Sequence, residues 1–409
     1  MLKRMAGIVF IFVCVTFAWL VLGSTVQFRT SSQDNKLRGA VGQLWGEPQR
    51  QAAPRAHYTT REERTVTVER DGKERKESRI QEVCHDVALS ASDVKADLAL
   101  DYRRKGLLWY STYKVRFTGR YTVANPTKEP QEIHFVFTLP SRGAVYDDLR
   151  LSVDGAPARD LRVADGQVSR AVALGPERSC VVEVTYASQG MDEWWYLFGD
   201  SVSQVRDFGL TVGTDFEGVD FPPNSVSPSA KTRSGRGWSL RWEYRNLVSG
   251  VQLGVALPHR LNPGPWVSEV TFAAPVSLFL FFFLLFIIAA RQGVPVHPMH
   301  FFFIGAAYFS FHLLLAYLVD HLSVPASFAI ASAVSLFLVV SYVRAAVGPR
   351  FAFLEVGLSQ LLYQVLFAAT FFLESFTGLA ITVLCVLTLF AVMQYTAKVD
   401  WTDAFKKGT

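Results

Sequence analysis

The sequence predicts a multi-pass α-helical membrane protein with six spans and a separate antiparallel β-sandwich-like domain. Two observations carry that reading. Long apolar segments follow one another between about Val270 and Trp401, separated by short punctuated turns, and each is long enough to cross a bilayer. The centre of the chain is instead polar, with apolar residues at every second position. The totals agree: of 409 residues 50% are hydrophobic and only 19% charged, and the charge is concentrated outside the last third.

From the N terminus, Lys3 and Arg4 precede an apolar stretch from Ala6 to Leu22. A cleaved signal peptide looks similar, but Val21-Leu22-Gly23-Ser24 lacks the small-residue cleavage pattern, so a retained anchor over 1–23 is expected. Residues 24–60 read as a polar linker with a short helix from Lys36 to Trp45, ended by Gly46. A hairpin should follow, with Thr65-Val66-Thr67-Val68 leading into an Asp71-Gly72 turn. The mixed charges from Lys73 to Glu77 read as a solvated face.

Period two is plain at Tyr113, Val115, Phe117, Tyr121 and Val123, and again at Ile133, Phe135, Phe137 and Leu139. Cys180, Val182, Val184 and Tyr186 repeat it, as do Trp238, Leu240, Trp242 and Tyr244. Such alternation means half-buried strands, and no long amphipathic helix intervenes, so 61–265 should form one or two antiparallel sandwiches. The bundle over 266–397 should place spans near 270–290, 301–319, 324–343, 351–373 and 378–396, leaving 398–409 as a cytoplasmic tail.

Cations set the expected orientation. Lys3 and Arg4, Arg291, Arg344 and Arg350, and Lys398, Lys406 and Lys407 all fall on one side of a six-span protein. The opposite short loops, Asp320 to Ser323 and Glu374 to Thr377, carry no Lys or Arg. Short-loop cations stay cytoplasmic, so both termini are expected inside and the β domain in the periplasm.

Few residues suggest chemistry. His297 and His300 are metal-ligand types, but Pro298 interrupts the helical spacing and no third ligand is local, so helix-start packing is the expected role. His312 lies near a bilayer midplane, where Gln360 and Gln364 of a neighbouring span are its expected partners; the sharper alternative is a proton or ligand path. Glu355 is expected to pair with Arg344 or Arg350, and Asp320 and His321 to sit solvated at the outer boundary. Cys84 and Cys180 form one disulfide or stay two inert thiols, and spacing leaves both open. Trp238 and Trp242 fall on core positions, whereas one of Trp194 and Trp195 must face out, towards a glycan, a peptide or the membrane interface. No nucleophile elbow, phosphate loop or metalloprotease helix occurs, no cofactor motif is present, and no basic stripe suggests nucleic acid.

Several phrases resemble the CreD-like family of bacterial inner-membrane proteins, also described as colicin-tolerance proteins. They are Ala274-Pro275-Val276-Ser277, His297-Pro298-Met299-His300-Phe301-Phe302-Phe303 continuing to Asp320-His321, Leu373-Glu374, and Met393-Gln394-Tyr395-Thr396-Ala397-Lys398-Val399-Asp400-Trp401. Leu44-Trp45-Gly46 with Gln49 and Pro54 is similar to the family's segment after its anchor. The resemblance is concentrated over about 270–401. It implies an inner-membrane protein tied to envelope integrity and surface stress, often under two-component control, and it brings no catalytic residues. The expectation is therefore a non-enzymatic envelope protein in the lipid bilayer, its β domain contacting a protein, lipid or glycan. The alternatives are a transporter or lipid-handling protein with a polar path around His312, and, ranked last, an intramembrane enzyme.

Overall fold

The computed structural model describes residues 2–70, 73–159, 161–199, 203–294, 297–373 and 375–397. The Asp71-Gly72 turn, Glu374 and the tail cations from Lys398 lie outside the described residues. The chain divides into two compact units, one made of 1–36 with 261–409 and the other of 37–260.

The first helix runs unbroken over Leu2–Trp45, where the sequence reading expected an anchor, a linker and a separate short helix. The change from apolar to polar composition near Gln27 marks a change of surroundings, because no proline interrupts the stretch and its residues tolerate helix. Gly46 ends the helix at φ +95°, its N–H donating to Gly42 O at 2.9 Å. Over the last turns Leu37, Val41 and Trp45 recur at helical spacing and pack with Leu108, Tyr110 and Met191 of the β unit.

The β unit holds three sheets. The largest has the order β14 (Ala230–Ser234), β15 (Gly237–Ser249), β13 (Ser203–Thr214), β4 (Leu89–Lys105), β5 (Leu108–Ala124), β11 (Ser179–Met191), β7 (Tyr146–Val153), β8 (Ala156–Pro157). A five-stranded sheet has the order β3 (Lys73–Val87), β2 (Arg55–Arg70), β6 (Gln131–Thr138), β10 (Gln167–Leu174), β9 (Arg162–Ala164). A small sheet joins β1 (Gln49–Ala52), β12 (Glu193–Leu197) and β16 (Leu253–Ala256).

One hydrophobic core unites the three. Phe117 stacks on Tyr186 at 4.8 Å between centroids, Phe137 of the facing sheet reaches Phe117 at 5.8 Å, and Tyr196 of the small sheet meets Phe208 at 5.4 Å. Most of the alternating residues named from the sequence form this core, with Trp242 fully buried in it, while Leu139, Trp238 and Tyr244 are half-buried against it. Pairing is antiparallel apart from β4 with β13 and β1 with β12, which are parallel. Those two pairs join strands far apart in sequence, where no local turn signal exists to read.

Among the described residues six helices are long and apolar enough to span a bilayer: the first, then Pro263–Gln292, Pro298–Leu318, Val324–Ala346, Phe351–Phe372 and Thr377–Thr396. The first and second pack through small residues. A side chain at Gly264 would collide with Thr30, one at Gly23 would crowd Phe272, and Ser268 Oγ donates to Gly23 O at 3.3 Å. The fifth helix is irregular, with π-helical stretches at Phe351–Gly357 and Leu361–Leu366.

Candidate functional site

The helical unit joins one set of its polar side chains into a connected network. Tyr308 of the third helix donates from Oη to Tyr363 O (2.8 Å) and shares a hydrogen bond with Ser277 Oγ of the second (2.7 Å). Gln364 Nε2 of the fifth helix donates to Tyr308 O at 2.7 Å. Gln364 Oε1 in turn accepts from Ser335 Oγ of the fourth helix (2.9 Å) and from Gln360 Nε2 (2.7 Å). Tyr363 Oη pairs with Thr388 Oγ1 of the sixth at 2.8 Å. Trp19 of the first helix is completely buried against Tyr308 and His312. Five helices thus join in one neutral hydrogen-bonded network, as apolar surroundings demand of polar groups, and the first packs its indole against it.

His312 is in this region but not in the network as expected. Its ring packs edge-on against Trp19 at 5.4 Å, and Gln360 and Gln364 bond Ser335, Tyr308 and each other instead. One turn of helix separates His312 from Tyr308, and Gln364 reaches the tyrosine carbonyl rather than the imidazole, while Gln360 donates to Ser335 Oγ and Gln364 Oε1. Gln360 Oε1 and Trp19 Nε1 are buried without a hydrogen-bond partner among the described residues. The π-helical turns fall on either side of Gln360, and such turns often mark functional positions in helices.

A second cluster sits where the end of the third helix meets the interior of the first. Arg29 forms an ion pair with Asp320 at 2.9 Å, and its guanidinium donates to Ala316 O at 3.4 Å. Asp320 is therefore a paired residue rather than a freely solvated one. Tyr308, Ser277, Ser335, Trp19 and Arg29 were not singled out from the sequence. The available signal was the isolated hydroxyls within apolar spans and the Gln360/Gln364 spacing of one helical turn.

The remaining candidates separate. His297 caps the third helix, its Nδ1 accepting from Met299 N at 3.2 Å, and His300 Nδ1 bonds Tyr342 Oη at 2.9 Å. Among the described residues no three His, Cys, Asp or Glu side chains are placed to hold a metal ion. Glu355 accepts from Gln292 Nε2 at 2.9 Å and joins no ion pair with Arg344 or Arg350 among the described residues.

Cys84 and Cys180 are free thiols. Cys84 lies opposite Thr59 on an exposed part of the β2–β3 hairpin, beyond the three residues through which β2 pairs β6. Cys180 faces Val123 inside the core, where burial raises its thiol pKa above the ordinary value. Trp194 is buried, while Trp195 is half-buried with its Nε1 donating to Glu193 Oε2 at 2.8 Å.

The β unit also buries phenols. Tyr186 Oη donates to Gln51 Oε1 at 2.8 Å and Tyr113 Oη to Glu193 O at 2.9 Å. Burial raises the pKa values of Tyr113, Tyr121, Tyr186 and Tyr196 above the usual phenol value and pushes Tyr146 up to about 12.

Fold and composition together define a multi-pass membrane protein with a large β-rich unit. Its residues 273–402 match the family described as inner membrane protein CreD, the family that the sequence resembles. No curated protein sequence matches the chain. Among solved structures, one from Legionella pneumophila subsp. pneumophila described as a nutrient binding protein is similar at 10% identity and a TM-score of 0.30, covering 47% of this chain and 73% of its own. An M1 zinc metallopeptidase from Deinococcus radiodurans is 16% identical with a TM-score of 0.25, covering 42% of this chain and 43% of its own. At these scores neither likeness bears on function.

Proposed function

We propose that this is a non-enzymatic inner-membrane protein that supports the cell envelope, with both termini cytoplasmic and the β unit outside, contacting an envelope component. One observation carries the reading. Hydroxyl and amide groups from five of the six helices are bonded to one another in one network, which suits a scaffold, while the β unit offers a large and chemically varied surface. The loop cations supply the orientation.

The test joins topology to phenotype. A reporter active only outside the cytoplasm should work when inserted at Leu322 and fail at the C terminus; activity at the C terminus would sink the six-span orientation. Complementation of a deletion strain under sublethal deoxycholate should require the β unit.

A second reading, a transporter or lipid-handling protein with a polar path around His312, is favoured by the π-helical turns beside Gln360. It requires that His312→Leu, with the protein still folded and inserted, abolish complementation. Full complementation by His312→Leu rejects it.

A further inference from the structure

The wet face of the eight-stranded sheet carries an open groove of about 860 Å³. It runs across the strands from Trp238 on β15 to Val145, just before β7. One row of directly opposed residues crosses it: Gly213, Asp97, Arg116, Ala187 and Asp147. Small side chains at Gly213 and Ala187 make the floor. A Cβ at Gly213 would lie 2.5 Å from Asp97 Oδ1, so this position is kept bare for the carboxylate beside it.

The charges of this face are not treated alike. In neighbouring rows they neutralise one another across or along strands, Arg120 pairing with Glu183 and Arg241 with Glu243, and Asp97 of the groove's own row is paired with Lys95 at 3.0 Å. The groove's other carboxylates accept from backbone amides, Asp215 Oδ1 from Leu100 N (2.8 Å) and Asp147 Oδ1 from Asp148 N (2.9 Å), and retain their charge towards the ends of the groove's lining at β13 and β7. Lys114 and Arg116, two positions apart on the same face of β5, join no ion pair among the described residues. A third cation, Lys231, lies over the Trp238 ring at 4.4 Å at one end. At the other end Val145 is 78% exposed.

We propose that this groove seats an anionic glycan, a linear oligosaccharide bearing carboxylate or phosphate groups. Six adjacent strands at about 4.8 Å spacing give a length of roughly 24 Å, suited to a chain rather than to a compact metabolite. A ligand lying across the strands cannot extend the backbone ladder, which disfavours an extended peptide that binds through its main chain. Recognition then falls to side chains, and Lys114 and Arg116 provide charge-assisted donors, the arginine in a fork that matches carboxylate or phosphate.

The proposal rests on the reading that the β unit faces the envelope, and its test is independent of that placement. The full chain, purified in a neutral detergent, is titrated calorimetrically with tetragalacturonate, a glycerol-phosphate tetramer, maltotetraose and tetraglutamate. The first or second should bind, distinguishing carboxylate from phosphate as the source, while maltotetraose binds at least tenfold more weakly. Lys114→Ala with Arg116→Ala should weaken binding at least tenfold, with an unchanged circular dichroism spectrum, while Arg120→Ala in the paired row leaves it unaltered.

No binding by either anionic glycan, binding indifferent to the double substitution, or preference for tetraglutamate overturns the proposal. An outside location with no glycan binding rejects the groove alone. Binding by a protein whose reporters place the β unit inside rejects the envelope reading alone.

Discussion

In the unit of 37–260, Tyr113, Phe117, Val184 and Trp242 fill the interior, and Arg120, Glu183, Arg241 and Glu243 stand on the outside. In the helical unit the arrangement is inverted. Ser277, Tyr308, Ser335 and Gln364 lie inside, while Phe10, Phe337 and Phe390 point outward. Both arrangements obey one rule, that a polar group needs a partner wherever water is absent. Water supplies that partner for the sheet faces; the bundle must supply its own. The two units should therefore respond differently to the same kinds of insult.

The largest effect should come from alkali acting on the β unit. Its buried tyrosines have raised pKa values, so the folded form keeps protons that the unfolded chain releases from pH 10 upward. Stability is thus complete below pH 10 and lost as pH rises, by roughly 1.4 kcal/mol per pH unit for each fully buried phenol. Strand circular dichroism should collapse between pH 10 and 12, with tyrosinate absorbance appearing in the same step. Gradual ionisation without loss of strand signal would break the contrast.

Trp242→Ala should come next, costing about 3–5 kcal/mol through the cavity it leaves. The indole is fully buried and its Nε1 donates to Val226 O at 2.9 Å. Thermal melting of the full chain in micelles, followed by near-ultraviolet circular dichroism, should show the β transition moving well down in temperature. Gln364→Leu in the bundle should cost less, about 1–2 kcal/mol, because hydrogen bonds between membrane helices are individually modest. If it outweighs Trp242→Ala in the same assay, the network stabilises the bundle more than packing does. Smallest is Arg29→Ala, about 0.5–1 kcal/mol, since the Arg29–Asp320 pair is partly solvated. A shift of the helical transition as large as that of Gln364→Leu would make the boundary pair a structural keystone.

What the sequence made legible follows the same division. Strands such as 113–123 and 180–186 were readable because alternation is local, and the spans because their composition is uniform. The parallel pairing of β4 with β13 was not, because it depends on residues more than a hundred positions apart. The continuation of the first helix to Trp45 was hidden by its change of composition, and composition reports surroundings more directly than backbone. At the candidate site, His312, Gln360 and Gln364 were found as residue types, but their pairing was misread. Ideal helical geometry puts positions on faces; it does not say which carbonyl or hydroxyl of the next helix will arrive there, and the π-helical turns of the fifth helix depart from that geometry.

Those turns have a consequence for how the chain tolerates insertions and deletions. A π turn holds a residue more than an α turn does, so Leu361–Leu366 carries surplus length within the membrane. A sequence shortened by one residue there can rewind to ordinary helix without losing the span. The helix beyond it would keep the same face towards its neighbours, because the residue lost is the one the wider turn holds in excess. The same loss ahead of Ser335 in the regular helix Val324–Ala346 has no such reserve: everything beyond it would turn by roughly 100° about the axis, carrying Ser335 away from Gln364. Single-residue deletions should therefore be tolerated in Leu361–Leu366 and not in the helix that faces it.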